Sequence, residues 1–94
     1  MSTALRLPDS VTIFEASALR LDLSAALKGD SGVSLMLDHL IEVDASAIQV
    51  LIWLQREGLR QHKPVALRQP SEALIGYLAL TGLSGALTFV EEAP

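Results

Sequence analysis

The chain has 94 residues, of which 50% are hydrophobic and 19% are charged, so it forms one domain with a modest core and is not a disordered segment. Its formal net charge of −4, from seven basic and eleven acidic residues, argues against a nucleic-acid-binding surface and, more weakly, against binding to an anionic membrane. The absence of cysteine excludes disulfides, zinc thiolates and thiol chemistry.

The apolar runs of the chain are short, and each is interrupted by an acidic or amide residue before the roughly 20 residues that a membrane span needs. The N-terminal sequence MSTALRLPDS lacks the basic start and apolar stretch of a signal peptide. We therefore expect a cytoplasmic protein. A single domain over residues 1–94 is predicted, with its core elements between residues 4 and 90.

The first predicted elements are a short β-hairpin and a helix. Ala4 to Leu7 alternates apolar and polar residues, and the β-branched and aromatic run Val11 to Phe14 follows after a turn. Leucines at positions 19, 23 and 27 then recur at helical spacing. This helix is expected to open at Ala16 or Ser17 and to close at Gly29 with a left-handed cap.

Strands and helices alternate along the rest of the chain. The uninterrupted apolar run Val33 to Leu37 predicts a buried central strand. The elements predicted after it are a helix over 45–61, a strand over 65–68, a helix over 71–81 opened by Ser71 and ended by Gly82, and a last strand over 87–90. The order ββαβαβαβ indicates an α/β fold, with a mixed, mostly parallel β-sheet and about three helices packed on it.

Motifs that would indicate catalysis or a cofactor are missing from the sequence. There is no glycine-rich phosphate-binding loop of the usual kinds, and no Ser-His-Asp arrangement can be argued. His39 and His62 stand alone in predicted loops, without a second ligand at metal-binding spacing, so we interpret them as exposed loop residues. The sequence therefore predicts a non-enzymatic protein without catalytic residues, cofactor or metal.

The most informative stretch is the start of the second helix, where Asp44 and Ser46 precede a strongly apolar run. Asp44 can accept hydrogen bonds from the first free N–H groups of the helix. Ser46 lies in the first turn, where a phosphate is tolerated by the helix dipole and would present about −1.5 to −2 charge to a docked partner. On residue type alone, Ser46 is more often a first-turn residue chosen for its hydrogen bonding.

Helical periodicity divides this second helix into faces. One stripe, at spacings of three and four, contains Ser46, Gln49, Trp53 and Glu57. Trp53 is interpreted as a partly buried packing residue, although beside a phosphosite it could also anchor an interface. The predicted core face consists of Ala47, Val50, Leu51, Leu54 and Gly58, with a flank of Ile48, Ile52 and Leu59 that is expected to be buried as well.

This strand-loop-helix, within the ββαβαβαβ order, resembles the STAS domain of bacterial anti-sigma-factor antagonists, whose loop before the second helix reads approximately D-S-[ST]-G-L. Asp44 matches the family aspartate, Ser46 the phospho-acceptor and Ile48 the following leucine. Ala45 and Ala47 depart from the pattern, where the family has serine and glycine. The resemblance covers the chain from about residue 4 to residue 90.

The resemblance implies a protein-binding partner switch. Ser46 would be phosphorylated by an anti-sigma factor that is itself a serine kinase of the histidine-kinase-like ATPase fold, and a phosphatase would reverse the modification. Phosphorylation would then release the partner. The partner-binding residues are predicted to be Asp44, Ala45, Ser46, Ala47, Gln49 and Trp53.

An alternative remains open. Gln49-Val50-Leu51 and Pro70-Ser71-Glu72-Ala73 are similar to STAS proteins encoded beside chemotaxis genes, and small STAS subunits of lipid-transport ABC systems are another relative. In that case the chain would be an adaptor of a chemosensory cluster or of a transporter, without phosphorylation. Neither interpretation involves nucleic acid or direct membrane insertion.

Overall fold

A computed structural model describes residues 2–29 and 31–90 of the chain. The helices are α1 (Ile13–Gly29), α2 (Ala45–Arg60) and α3 (Glu72–Leu80). The strands are β1 (Ser2–Arg6), β2 (Ser10–Val11), β3 (Gly32–Met36), β4 (Glu42–Val43) and β5 (Val65–Arg68). None of the helices in these ranges combines the length and apolarity that crossing a bilayer demands.

The main sheet has three parallel strands in the order β1-β3-β5, so the apolar β3 is central, as predicted. Leu35 of β3 lies between Leu5 of β1 and Leu67 of β5 in the register. A second, two-stranded parallel sheet pairs β2 with β4. The α/β fold class, with three helices and a mostly parallel sheet, is therefore confirmed.

Three helices surround a core that is made entirely of apolar side chains. α1 and α2 pack on each other, and both also contact the main sheet. Among the described residues no polar or charged side chain is fully buried. The largest fully buried side chains, each less than 2% exposed, include Leu23 and Leu27 of α1, Leu35 of β3, Leu51 and Leu54 of α2, and Leu74 of α3.

The predicted hairpin is wrong, and α1 begins earlier than expected. β1 pairs in parallel with β3, and the run Val11 to Phe14 passes directly into the helix at Ile13. The reason is a capping arrangement in Thr12-Ile13-Phe14-Glu15, because the N–H and hydroxyl of Thr12 both donate to Glu15 Oε2, at 3.2 and 2.7 Å. This local bonding decides the helix start against β-propensity.

The end of α1 and the segment predicted as the last strand also differ from the prediction. Gly29 ends α1 without a left-handed conformation, whereas Gly82 after α3 has φ 74°. The segment predicted as the last strand makes one parallel bridge, between Phe89 and Leu67. The side chain of Gln55 holds this segment instead, because its amide donates to Ala86 O at 3.3 Å and accepts from Thr88 N at 2.8 Å.

β5 has its predicted bounds, and α2 and α3 match the prediction to within one residue at each end. α2 packs closely on β5 at Gly58, since an added Cβ there would lie 2.5 Å from Val65 Cγ2 and 2.9 Å from Lys63 O. Ser71 caps α3 through a hydrogen bond that its hydroxyl accepts from Leu74 N. The loop predicted before α2 contains the short β4.

Candidate functional site

Asp44 joins the beginnings of two helices. Its Oδ1 accepts hydrogen bonds from Ser46 N at 2.8 Å and from Ala47 N at 3.4 Å, which caps α2 as the sequence predicts. Its Oδ2 accepts a third bond, from Ile13 N at 3.0 Å, and Ile13 is the first residue of α1. One carboxylate therefore holds both helix starts side by side. Arg20 and Trp53, each about two turns into its own helix, also meet, so α1 and α2 run in the same direction.

Ser46 lies at the opening of a groove between these helices. Its side chain is half-buried, and its hydroxyl makes no hydrogen bond with any other residue in the described ranges. It borders a cavity of about 220 Å³ together with Gln49 and Trp53 of α2 and with Ile13, Ser17 and Arg20 of α1. We call this the α1–α2 groove; its continuation passes Lys28 of α1 and Glu57 and Arg60 of α2.

The predicted stripe of α2 faces this groove. Gln49 is exposed, and Trp53 is half-buried and packs against the core cluster, as its interpretation as a packing residue required. The guanidinium carbon of Arg20 lies 4.7 Å from the centroid of the Trp53 ring, which is a cation–π geometry. Sequence periodicity had placed Trp53 near Ser46 but had not indicated that α1 supplies a cation to its ring.

The lower part of the groove is charged. Arg60 forms an ion pair with Glu57, and Gln61 donates to the same carboxylate at 3.4 Å. The hydrogen bond from Arg60 is the main cause that lowers the pKa of Glu57 below its ordinary value of 4.5, and the charge of Arg20 adds to it. Of the described residues that line this part of the groove, Glu57 is the acidic one, and Arg20, Lys28 and Arg60 are basic.

The two residues that depart from the family pattern have different surroundings. Ala45 is exposed in the first turn of α2. Ala47 is only 2% exposed and belongs to the core cluster. Its methyl group therefore packs inward, and the backbone next to Ser46 is held by packing as well as by the Asp44 cap.

Two apolar residues beside the groove are exposed, which the sequence did not predict. Ile13 is 67% exposed and Phe14 is 91% exposed, both in the first turn of α1 next to Asp44. They had been assigned to a hairpin strand. The signal that could have placed them is the T-x-x-E pattern of residues 12–15, which indicates a helix start and hence an exposed first turn.

The flank of α2 behaves only in part as predicted. Ile48 is buried and Ile52 is half-buried, in agreement with the expectation. Leu59 is 80% exposed, so its expected burial is wrong. It lies near the C-terminal end of α2, where it borders a second groove with Val65 of β5 and Phe89.

The histidines take no part in this site. His39 is exposed, and its Nε2 lies 3.9 Å from Asp38 Oδ2, while His62 follows α2 in a turn with φ 57°. No group of three or more metal-ligating side chains occurs within residues 2–29 and 31–90.

Comparison with known proteins finds one matching family model and a solved structure with a similar fold. The family model described as "Mlab, STAS domain" matches residues 1–91. A solved structure, that of the anti-sigma factor antagonist SpoIIAA in its unphosphorylated form, matches with a TM-score of 0.73 at 17% sequence identity, over 98% of this chain and 84% of that chain. No curated protein matches the sequence. At this identity the structural match shows a shared fold.

Proposed function

The chain belongs to the STAS-domain family, as the resemblance in its sequence indicated, and we propose that it is a partner-switching regulator of the anti-sigma-factor-antagonist kind. It binds a protein partner at the start of α2, and phosphorylation of Ser46 releases that partner. STAS domains of this fold are regulatory rather than catalytic modules, which agrees with the absence of catalytic motifs in the sequence.

The observation that carries this proposal is the placement of Ser46 at a fixed and accessible edge. Asp44 holds the backbone of the first turn through Ser46 N, which leaves the Ser46 hydroxyl directed by that turn alone. The exposed side chains of Ile13 and Phe14 lie on the adjoining first turn of α1. A hydroxyl beside exposed apolar side chains suits an interface whose core excludes water and tolerates little added charge.

The partner is proposed to be a serine kinase of the histidine-kinase-like ATPase fold that also acts as an anti-sigma factor. It transfers the γ-phosphoryl group of ATP to Ser46 Oγ; the P–O bond to ADP breaks, and the hydroxyl proton is lost. The phosphate then places about −1.5 to −2 charge at the contact. A loss of about 3 kcal/mol in binding free energy lowers the affinity more than a hundredfold. A phosphatase restores the binding state.

The test is to purify the full chain from the cells that produce it and to locate phosphate by fragmentation mass spectrometry. We expect phosphate on Ser46 and its loss in Ser46→Ala. The matched control is Ser17→Ala, because Ser17 is an exposed serine that borders the same cavity. Phosphate that persists in Ser46→Ala contradicts the assignment.

Binding supplies the second half of this test. Ser46→Ala should retain the co-purified ATPase, whereas Ser46→Glu, which carries a fixed negative charge, should release it. Equal retention by both variants contradicts the switch. The partner is identified by its mass and by ATP hydrolysis.

A second candidate function is favoured by Ala45 and Ala47, which replace the serine and glycine of the phospho-acceptor motif. In addition, the description of the matching family model names Mlab and does not mention an anti-sigma-factor antagonist. The chain would then be a constitutive adaptor in a transporter or chemosensory assembly. Under this function, Ser46 carries no phosphate in cells, and the co-purified proteins belong to such an assembly.

A further inference from the structure

Arg20 occupies the middle of the α1–α2 groove and borders both of its parts. In the upper part it shares the cavity of about 220 Å³ with Ser46, and in the lower part it lies beside Glu57 and Arg60. Among the described residues it forms no salt bridge, although its charge acts on Glu57, whose carboxylate pairs with Arg60. Its guanidinium contacts the face of the Trp53 ring.

This contact is easily exchanged. A cation–π contact at an exposed site contributes about 0.5–1 kcal/mol. A hydrogen bond between a guanidinium and a phosphate is stronger, since both groups are charged and the planar guanidinium can donate two parallel bonds. An anion that entered the upper cavity would therefore draw Arg20 away from the ring of Trp53.

We propose that Arg20 receives the phosphate carried by Ser46, and that in doing so it leaves Trp53 and changes the surface of the α1–α2 groove. This inference rests on the proposed function, because it requires that Ser46 is phosphorylated. It adds a residue of α1 that converts a charge on α2 into a rearrangement of the groove. The partner then meets both a new charge and an altered tryptophan.

The geometry supports this exchange. Ser46 and Trp53 are seven residues apart on α2, which is about two turns or roughly 10 Å along the axis. The guanidinium of Arg20 lies over the Trp53 ring at the far end of that distance. The phosphate extends Ser46 toward the cavity, and the arginine side chain extends from the opposite end of it. The carboxylate of Asp44 is held at the helix cap by Ile13 N and Ser46 N, and as an anion it disfavours movement of the phosphate toward itself.

The experiment uses the full chain with phosphoserine installed at position 46 during translation, compared with the unmodified chain. Trp53 is the single tryptophan, so its emission reports the contact with Arg20. We expect phosphoserine to change the emission of Trp53 in the native chain and to leave it unchanged in Arg20→Gln. The matched control is Arg56→Gln, because Arg56 is an exposed arginine of α2 that borders neither part of the groove.

A second measurement follows the phosphate itself by phosphorus NMR during a pH titration. Of the described side chains that line the upper cavity with Ser46, Arg20 is the charged one, and Asp44 precedes Ser46 at the helix cap. Lys28, Glu57 and Arg60 border the lower part of the groove, further along α1 and α2. A neighbouring cation lowers the second pKa of the phosphate, so Arg20→Gln should raise it by roughly half a unit or more. Arg20→Lys should restore most of this pKa but not the planar contact with Trp53.

The result that overturns the proposal is a phosphate pKa that is the same in the native chain and in Arg20→Gln, or a response of Trp53 that survives in Arg20→Gln. Because the phosphoserine is installed without a kinase, this outcome is separate from a failure of the proposed function. That failure would appear as unmodified Ser46 in cells, whatever the purified phosphoprotein shows.

Discussion

The two grooves that flank the buried face of α2 differ in chemistry. On the α1 side, Ser46, Gln49 and Trp53 line a groove that contains a cation on an aromatic ring. On the other side, Leu59 borders a groove of about 530 Å³ with Val65 and Phe89, and the lining is mainly apolar. Directional polar contacts respond to added charge, whereas apolar contacts depend on burial. We therefore expect an added charge to affect the α1 side of α2 more than its apolar side.

The largest predicted effect is a difference in unfolding free energy between substitutions on the buried face of α2 and on its apolar flank. Leu54 is fully buried, so Leu54→Ala should lower the free energy of unfolding by about 2–5 kcal/mol through lost burial and a residual cavity. Leu59 is 80% exposed, so Leu59→Ala should change it by about 0.5 kcal/mol or less. Urea unfolding, followed by far-UV circular dichroism, measures both. Equal losses would contradict the assignment of the faces.

Gly58 tests how closely α2 approaches β5. Gly58→Ala introduces a Cβ that meets Val65 and Lys63 O, and we expect a loss of about 1–3 kcal/mol in unfolding free energy. Gly76 of α3 is the matched control, since an added Cβ there meets nothing within 4 Å. Gly76→Ala should stabilise the chain by up to about 1 kcal/mol through helix propensity. A tolerated Gly58→Ala would show that the two elements can separate at little cost.

Asp44 tests the polar end of the α1–α2 groove. Asp44→Ala removes the acceptor for Ser46 N, Ala47 N and Ile13 N, so it should cost about 2 kcal/mol. Ser71→Ala removes one capping bond, to Leu74 N, and should cost about 1 kcal/mol. Chemical denaturation compares the two variants. If Asp44→Ala costs no more than Ser71→Ala, the bond to α1 does not contribute to stability.

The smallest effect concerns the start of α1 and depends on pH. The hydrogen bond from the Thr12 hydroxyl is the main cause that lowers the pKa of Glu15 below its ordinary value of 4.5. A carboxyl group with a lowered pKa in the folded state stabilises the fold above pH 4.5, and this contribution disappears as the pH falls through the lowered value. Glu15→Gln should therefore be less stable than the native chain at pH 7.

The control for this prediction is the same pair of chains at low pH. Unfolding midpoints of Glu15→Gln and of the native chain should converge below the lowered pKa of Glu15, where the carboxyl group is protonated in both states. A difference that stays constant between pH 7 and pH 3 would show that the effect is steric and not electrostatic.

Much of the fold followed from local patterns. The apolar run of β3, the periodic leucines of α1 and the capping residues Asp44 and Ser71 each indicated their element correctly, because one interaction type dominates at each place. The error at residues 11–14 arose where two signals conflict. β-Branched composition favours a strand there, and the bonds between Thr12 and Glu15 favour a helix start.

The candidate site was predicted only on α2. The stripe of Ser46, Gln49 and Trp53 follows from helical spacing within one segment, so the sequence was sufficient for it. Arg20 and Ile13 reach the same groove from α1, and their distance in sequence leaves no periodic signal. The exposure of Leu59 was missed for a related reason, since periodicity shows which residues share a face but not which neighbour covers that face.

The sequence alone indicated the family, through the resemblance of the segment from Asp44 to Ile48 and of the element order. It also determined the alternation of strands and helices and the core face of α2, because burial of apolar side chains leaves a period that can be read along the chain. The tertiary structure decided which elements meet. In the folded chain the first residue of α1 donates to Asp44, and Arg20 contacts the ring of Trp53. The side chain of Gln55 binds the backbone of Ala86 and Thr88. Such contacts depend on the packing of distant segments, and single polar groups that meet in this way carry no repeat in the sequence.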